Sequence, residues 1–297
     1  MKKLRSLLAA VVLAAMAVLP FAGSASASSQ RPATTPTLQT DAPNNCQSTL
    51  IDNGWVGEQV SSGTESAESY GAEASILANI HPCIDTSGTD AAGGPSVWVA
   101  VQGSGGCDLG INAGCQIVQM GIQSCDDANA PTDSPCYGSR AHTPRYFYAW
   151  GRKANDCTQY GAHVPRPIDL GPAALLTYYN FRIRLLDGHW LFYIGGNVVK
   201  DLTDTYCWTT STSVKNSNAW YGERWDGADS IGLSSTQASV FDSPLSLTNN
   251  IPPVTGNSGG WASVNPSLGP CTTSGDQAFE QHCSRGTSYF TIWDVLE

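Results

Sequence analysis

This sequence predicts an all-β fold, two antiparallel sheets packed as a sandwich. No segment keeps the 3.6-residue periodicity of an amphipathic helix. Short runs rich in Val, Ile, Tyr, Phe and Trp recur between clusters of Gly, Pro, Ser and Asn, which is the pattern of a sandwich or barrel. Asp187-Gly188 separates two alternating runs, Phe181-Arg182-Ile183-Arg184-Leu185-Leu186 and His189-Trp190-Leu191-Phe192-Tyr193-Ile194, and marks a two-residue hairpin. In its first arm Phe181, Ile183 and Leu185 face a core while Arg182 and Arg184 face out.

From the N-terminus, Met1-Lys2-Lys3-Leu4-Arg5 is basic, Leu7 to Phe21 is apolar, and Ala25-Ser26-Ala27 is a run of small residues. Together they read as a signal peptide over residues 1–27 and predict a secreted, extracellular protein. No stop-transfer pattern and no second long apolar stretch follows, so no membrane association is expected after signal removal. Residues 28–45 are rich in Ser, Thr, Pro and Gln and read as a disordered leader. Residues 46–297 are read as a single sandwich domain. Its expected strands are 54–60, 70–80, 96–102, 116–123, 145–150, 180–186, 189–194, 218–225, 238–241 and 288–294. Residues 245–270 are rich in Pro, Gly, Asn and Ser and are expected to form a long loop.

Ten cysteines in an exported chain predict a disulfide-stabilised domain. Short loops favour Cys107–Cys115, Cys125–Cys136 and Cys271–Cys283, although spacing alone leaves the connectivity open. There is no C-x-x-C or H-E-x-x-H and the five histidines are scattered, so no metal and no other cofactor is expected. The formal net charge is -10. Removing residues 1–27 takes away Lys2, Lys3 and Arg5 and no acid. The acidic mature chain lacks the basic surface that nucleic-acid binding needs. Only 13% of residues are charged. Such a surface has few ion pairs to lose in acid, so an acid-tolerant exterior is expected. The chain is expected to be a monomer.

Two strand-like segments carry candidate chemistry. In Gln116-Ile117-Val118-Gln119-Met120-Gly121-Ile122-Gln123, alternation puts Val118, Met120 and Ile122 on one face and Gln119, Gly121 and Gln123 on the other. In Asn218-Ala219-Trp220-Tyr221-Gly222-Glu223-Arg224-Trp225, Tyr221, Glu223 and Trp225 share a face. A carboxylate at Glu223 would activate a water, and an amide at Gln119 would steer it and stabilise an oxyanion. The plainer reading is that both are solvated positions of half-buried strands.

The order of segments resembles a known family. Asn53-Gly54-Trp55-Val56-Gly57 is followed by Ala74-Ser75-Ile76-Leu77-Ala78-Asn79-Ile80-His81-Pro82, then by Ser96-Val97-Trp98-Val99-Ala100-Val101-Gln102-Gly103. Next come Ile117-Val118-Gln119-Met120-Gly121, Tyr146-Phe147-Tyr148-Ala149-Trp150, Trp220-Tyr221-Gly222-Glu223 and Ser288-Tyr289-Phe290-Thr291-Ile292-Trp293-Asp294. This set resembles the glutamic peptidases, both the fungal eqolisin group and the plant neprosin group. Gln119 matches the eqolisin version of the first catalytic position and Glu223 the neprosin version of the second. The sequence departs from the pattern at Ala219, at Gly151-Arg152 and at Val101-Gln102-Gly103, where an Asp is absent. The resemblance implies a jelly-roll or concanavalin-like sandwich and an acid-active endopeptidase with a protein or peptide substrate. Glu223 would be general base and then acid, and Gln119 would hold the water. Tyr148, Trp150, Tyr221 and Trp225 would line the substrate groove and raise the carboxyl pKa.

Three rival readings stand beside it, one of them a disulfide-rich structural or surface protein without catalysis. Gly256-Asn257-Ser258-Gly259-Gly260 imitates a serine-protease nucleophile turn, with His81 and Asp169 as its partners, but Asn257 replaces the usual Asp. The remaining rival is a non-catalytic secreted binding module for carbohydrate or a cell-wall ligand, with Trp98, Trp150, Trp190, Trp220 and Trp225 lining its groove.

Overall fold

The computed structural model describes residues 54–61, 69–80, 94–108, 114–125, 130–152, 163, 165–186, 189–203, 217–224, 231–232, 234–248, 261–263, 272–274 and 280–295. Two antiparallel sheets form the sandwich expected from the sequence. The first joins β1 (Gly54–Ser61), β3 (Ser96–Asp108), β4 (Gly114–Gln123), β5 (Arg145–Gly151), β6 (Ile168–Pro172), β10 (Ser217–Arg224) and β13 (Thr272–Ser274) in the order β13-β1-β10-β3-β4-β5-β6. The second joins β2 (Ser69–Leu77), β7 (Tyr178–Leu186), β8 (His189–Ile194), β9 (Asn197–Leu202), β11 (Ser239–Thr248), β14 (Glu280–Arg285) and β15 (Tyr289–Val295) in the order β14-β15-β11-β2-β7-β8-β9. β12 (Trp261–Ser263) also pairs with β11.

Alternation creates the core. Along β7, Phe181, Ile183 and Leu185 are buried and the residues between them are not, as the sequence pattern requires. Val97, Val99, Val101, Val118, Met120 and Ile122 meet Ala74, Ile76, Phe181 and Phe241 between the sheets. Phe241 stacks on Phe290 with ring centroids 4.8 Å apart. Hydrogen bonds also cross the interface. Trp220 Nε1 donates to the Glu73 carbonyl at 3.0 Å, and Asn218 Nδ2 donates to the Gly71 carbonyl at 3.0 Å. Buried polar groups kept in a core need such partners. Arg285 Nε of the second sheet donates to Glu58 Oε1 of the first.

The predicted hairpin forms. Leu186 pairs directly with His189, and residues 187–188 themselves lie outside the described residues. A second tight hairpin joins β8 to β9 through Gly195 (φ 58) and Gly196 (φ 88), the left-handed pair that a two-residue turn requires. β9 was not expected from the sequence, because Asn197, Val198 and Val199 are all exposed and the strand lacks buried alternation. β6, β12, β13 and β14 are further strands the pattern did not reveal. β12 and β13 are three residues each, too short to carry a period.

The expected loop at 245–270 is corrected in part. β11 continues to Thr248, and β12 lies inside that span. Just before that span, a register shift between Asp242 and Leu245 takes in Ser243 (φ 52) and Pro244 and interrupts the strand pattern. A bulge admits residues that a regular strand excludes. Cys125 and Cys136 form a disulfide. Cys107 and Cys115 are backbone partners across β3 and β4. Cys283 is disulfide-bonded, while Cys271 lies outside the described residues, as do residues 1–45, where the signal peptide and leader are expected.

Candidate functional site

The side chains of the first sheet that do not enter the core share its outer face. Register sorts them into rows. Glu223, Ser96, Gln123 and Arg145 are successive Cα partners across β10, β3, β4 and β5. Tyr221, Trp98, Gly121 and Phe147 form the next row, and Ala219, Ala100, Gln119 and Ala149 the row after. Apart from Gly121 and Gln119, the last two rows join Ile117 in a small buried cluster of their own. A polar row thus borders an aromatic one. Gly121 is fixed by close approach, since a β-carbon there would sit 1.9 Å from the Val97 carbonyl oxygen.

Trp98 links the two rows. Its ring meets Tyr221 edge-on at 5.1 Å, and its Nε1 donates to Glu223 Oε2 at 3.1 Å. Burial pushes the Glu223 carboxyl up from its ordinary value to about 7, and the Trp98 hydrogen bond, which favours the anion, offsets only part of this. Ser96 is the short residue between Glu223 and Gln123, so the two longer side chains flank it. The α-carbons of Glu223 and Gln123 are two strand spacings apart, about 10 Å. Gln123 is 2% exposed and its Oε1 has no hydrogen-bond partner. A buried acceptor without a donor costs about 1–3 kcal/mol.

At the far end of the polar row, Arg145 holds Asp169 through two hydrogen bonds, Nε to Oδ1 at 2.8 Å and Nη2 to Oδ2 at 2.7 Å. Burial pushes the Asp169 carboxyl up, but Arg145, the Gly171 N–H and Arg140 together hold it below its ordinary value. Among the described residues no three His, Cys, Asp or Glu side chains gather to hold a metal ion.

The site residues expected from the sequence separate into three groups. Glu223 and Tyr221 lie on the outer face, as does Gln119, but Gln119 is two rows from Glu223. Four residues along β4 and two strand spacings across put their α-carbons roughly 16 Å apart, beyond the reach of one shared water. The Gln119–Glu223 dyad is therefore corrected: Gln123 is the amide level with Glu223. Tyr148 and Trp150 point the opposite way, into the core, because they pair with Met120 and Val118. Trp225 lies outside the described residues, as do Ser258 and His81. Asp169, the acid of the rival triad, is bound by Arg145. Of the tryptophans offered for a binding groove, Trp150, Trp190 and Trp220 are core residues and Trp98 is on the outer face. Periodicity does show that Gln123 shares the face of Gln119. Which of the two is level with Glu223 depends on register through β3, and that is not local information.

No protein-family model and no curated protein matches the sequence. Solved structures similar to it include a Crh5 transglycosylase in complex with NAG, at 11% identity and a TM-score of 0.27, covering 59% of this chain and 58% of that one. This chain therefore spans less than two thirds of the transglycosylase. A glycoside hydrolase family 16 endo-glucanase from Bacteroides ovatus matches at 10% identity and a TM-score of 0.32, covering 66% and 73% of the two chains. LamAcat from Zobellia galactanivorans matches at 8% identity and a TM-score of 0.30, covering 64% and 79%. The glutamic-peptidase resemblance is corrected on the register: the dyad that defined it does not assemble. The acid-active endopeptidase and its protein or peptide substrate are withdrawn with it.

Proposed function

We propose that this chain is an exported carbohydrate-binding β-sandwich whose ligand reaches the part-buried Glu223 at the outer face of the first sheet, where Ser96 and Gln123 lie buried beside it. The observation that carries the reading is the buried, unpartnered Oε1 of Gln123 level with Glu223 and one row from Trp98 and Tyr221. That oxygen accepts, so it calls for a donor, and a sugar hydroxyl is one. Glu223 hydrogen-bonds hydroxyls in either protonation state. Trp98 and Tyr221 are themselves buried, 4% and 2% exposed, so they keep the surroundings of the acid apolar and are not a stacking surface. The acidic chain disfavours polyanions. The similarity of the chain to glycan-active enzymes agrees with this reading and does not carry it. Two-carboxylate glycosidases hold their acids roughly 5–10 Å apart. Asp169, the other carboxylate described on this face, is four strand spacings from Glu223, about 19 Å. Among the described residues on this face no second carboxylate stands at that distance, and on this ground we read the site as one of binding.

The test is retention of the secreted chain on cellulose, β-1,3-glucan, xylan, chitin and mannan, followed by calorimetry on the one that retains it. Gln123→Leu and Glu223→Gln are expected to weaken binding by 10-fold or more. Gln123→Leu is expected to melt at or above the wild type, since it removes the unpaired acceptor. Retention on none of the five, or unchanged binding by both variants, overturns the proposal. Release of reducing ends by the wild type but not by Glu223→Gln would replace binding with hydrolysis. N-terminal sequencing of the secreted chain tests export, with a start at Ser28 expected.

A further inference from the structure

We infer that Trp98 is a positioning residue for the ligand contact. Its indole N–H holds Oε2 of Glu223, so Oε1 alone meets the ligand and alone takes up a proton, and the site binds with Glu223 ionised and releases the ligand as the acid is neutralised. The inference rests on the carbohydrate reading above and concerns the regulation of that same site. An indole N–H donates and never accepts. Oε2, 3.1 Å from Trp98 Nε1, therefore accepts in both forms of the acid, and the proton of the neutral form goes to Oε1. Trp98 is well fixed for this. It is buried, its ring meets Tyr221 edge-on at 5.1 Å, and its Cα partners on β10 and β4 are Tyr221 and Gly121. Glu223, by contrast, is only part-buried. The buried indole takes one oxygen, and the oxygen left for a ligand is Oε1.

Ionised, Oε1 accepts from a sugar hydroxyl in a charge-assisted hydrogen bond; neutral, it offers a weaker one. Along this row the described residues bring no other charge near it. The Cα partners of Glu223 are Trp55 on β1 and Ser96 on β3, and Gln123 and Arg145 follow on β4 and β5. Arg145 is three strand spacings away, about 14 Å, and is engaged by Asp169. β2 and β11 pack against the core face of β10, away from Glu223, where Asn218 and Trp220 bond to Gly71, Ser246 and Glu73. With burial holding the Glu223 carboxyl at about 7, the change of form falls near neutral pH. A hydroxyl bound to the anion weakens the hold on the proton, so binding near that pH releases one.

The experiment has two arms. Without ligand, NMR follows the Glu223 carboxyl and the indole N–H groups of wild type, Glu223→Gln and Trp98→Phe across pH. In the wild type one indole N–H is expected to move with the midpoint of Glu223, about 7, and in Glu223→Gln to stop moving. The Glu223 midpoint of Trp98→Phe is expected about one pH unit higher, because the lost bond favours the anion. The wild-type indole signal decides the point even if Trp98→Phe does not fold. With ligand, calorimetry uses oligosaccharides prepared from the polysaccharide that retains the wild type. Wild-type binding is expected to be about 10-fold weaker at pH 5 than at pH 8, with proton release near pH 7. Glu223→Gln is expected to bind equally at both, at the weaker level. If no indole N–H follows Glu223, if Trp98→Phe titrates as the wild type does, or if wild-type binding is the same at pH 5 and pH 8, the inference fails while the carbohydrate reading stands. If no polysaccharide retains the chain, or if Glu223→Gln and Gln123→Leu bind like the wild type at pH 8, the carbohydrate reading fails and this inference with it.

Discussion

Glu223 shows how one residue ties stability to the site. Its carboxyl has an ordinary pKa of 4.5 in the unfolded chain and is raised to about 7 in the fold. The folded state therefore holds the proton to higher pH, and the contribution to stability is present below about pH 4.5 and lost as pH rises through 7. A shift of this size amounts to on the order of 3 kcal/mol. Glu223→Gln imitates the protonated form at every pH. It is expected to match the wild type at pH 4.5 and to exceed it at pH 8 in urea unfolding. Equal pH slopes for the two proteins would mean that the carboxyl is not desolvated as described. Gln123 is a second residue of this kind, with an unpaired acceptor beside the acid.

Among the elements, the loop between β4 and β5 does the most to shape the rim. It carries the Cys125–Cys136 disulfide, the Arg140 bonds and the Asp133–Arg166 pair. Asp169 anchors it. The depressed Asp169 carboxyl works in the opposite sense to Glu223: its contribution is present at neutral pH and lost as pH falls through its folded value. Replacing both Cys125 and Cys136 by Ser opens a short loop, with an expected loss of about 2–3 kcal/mol in unfolding free energy. The sheets should survive the change, since their core lies elsewhere. Far-UV circular dichroism unlike that of the wild type would show that the disulfide supports the whole fold instead.

On the scale of the whole molecule, two sheets share one apolar interior, and buried hydrogen bonds pin them in one relative position. Trp220→Phe keeps most of the packing and leaves the Glu73 carbonyl without its indole donor. A loss of about 1–3 kcal/mol in denaturant unfolding is expected, and a change below about 0.5 kcal/mol would show that the bond does not pin the sheets. The sequence by itself determined the all-β class, the alternation that buries Phe181, Ile183 and Leu185, the hairpin after Leu186 and the face shared by Gln119 and Gln123. Each is set within one strand or one turn, by side-chain period and turn chemistry. Tertiary structure decided which strands are neighbours, and with that the site. Only the placing of β3 between β10 and β4 brings Gln123, not Gln119, level with Glu223. Only the pairing of β5 with β4 sends Tyr148 and Trp150 into the core. Such register depends on pairings between residues 22 to 127 positions apart, Gln123 with Arg145 and Ser96 with Glu223, and no local pattern encodes it.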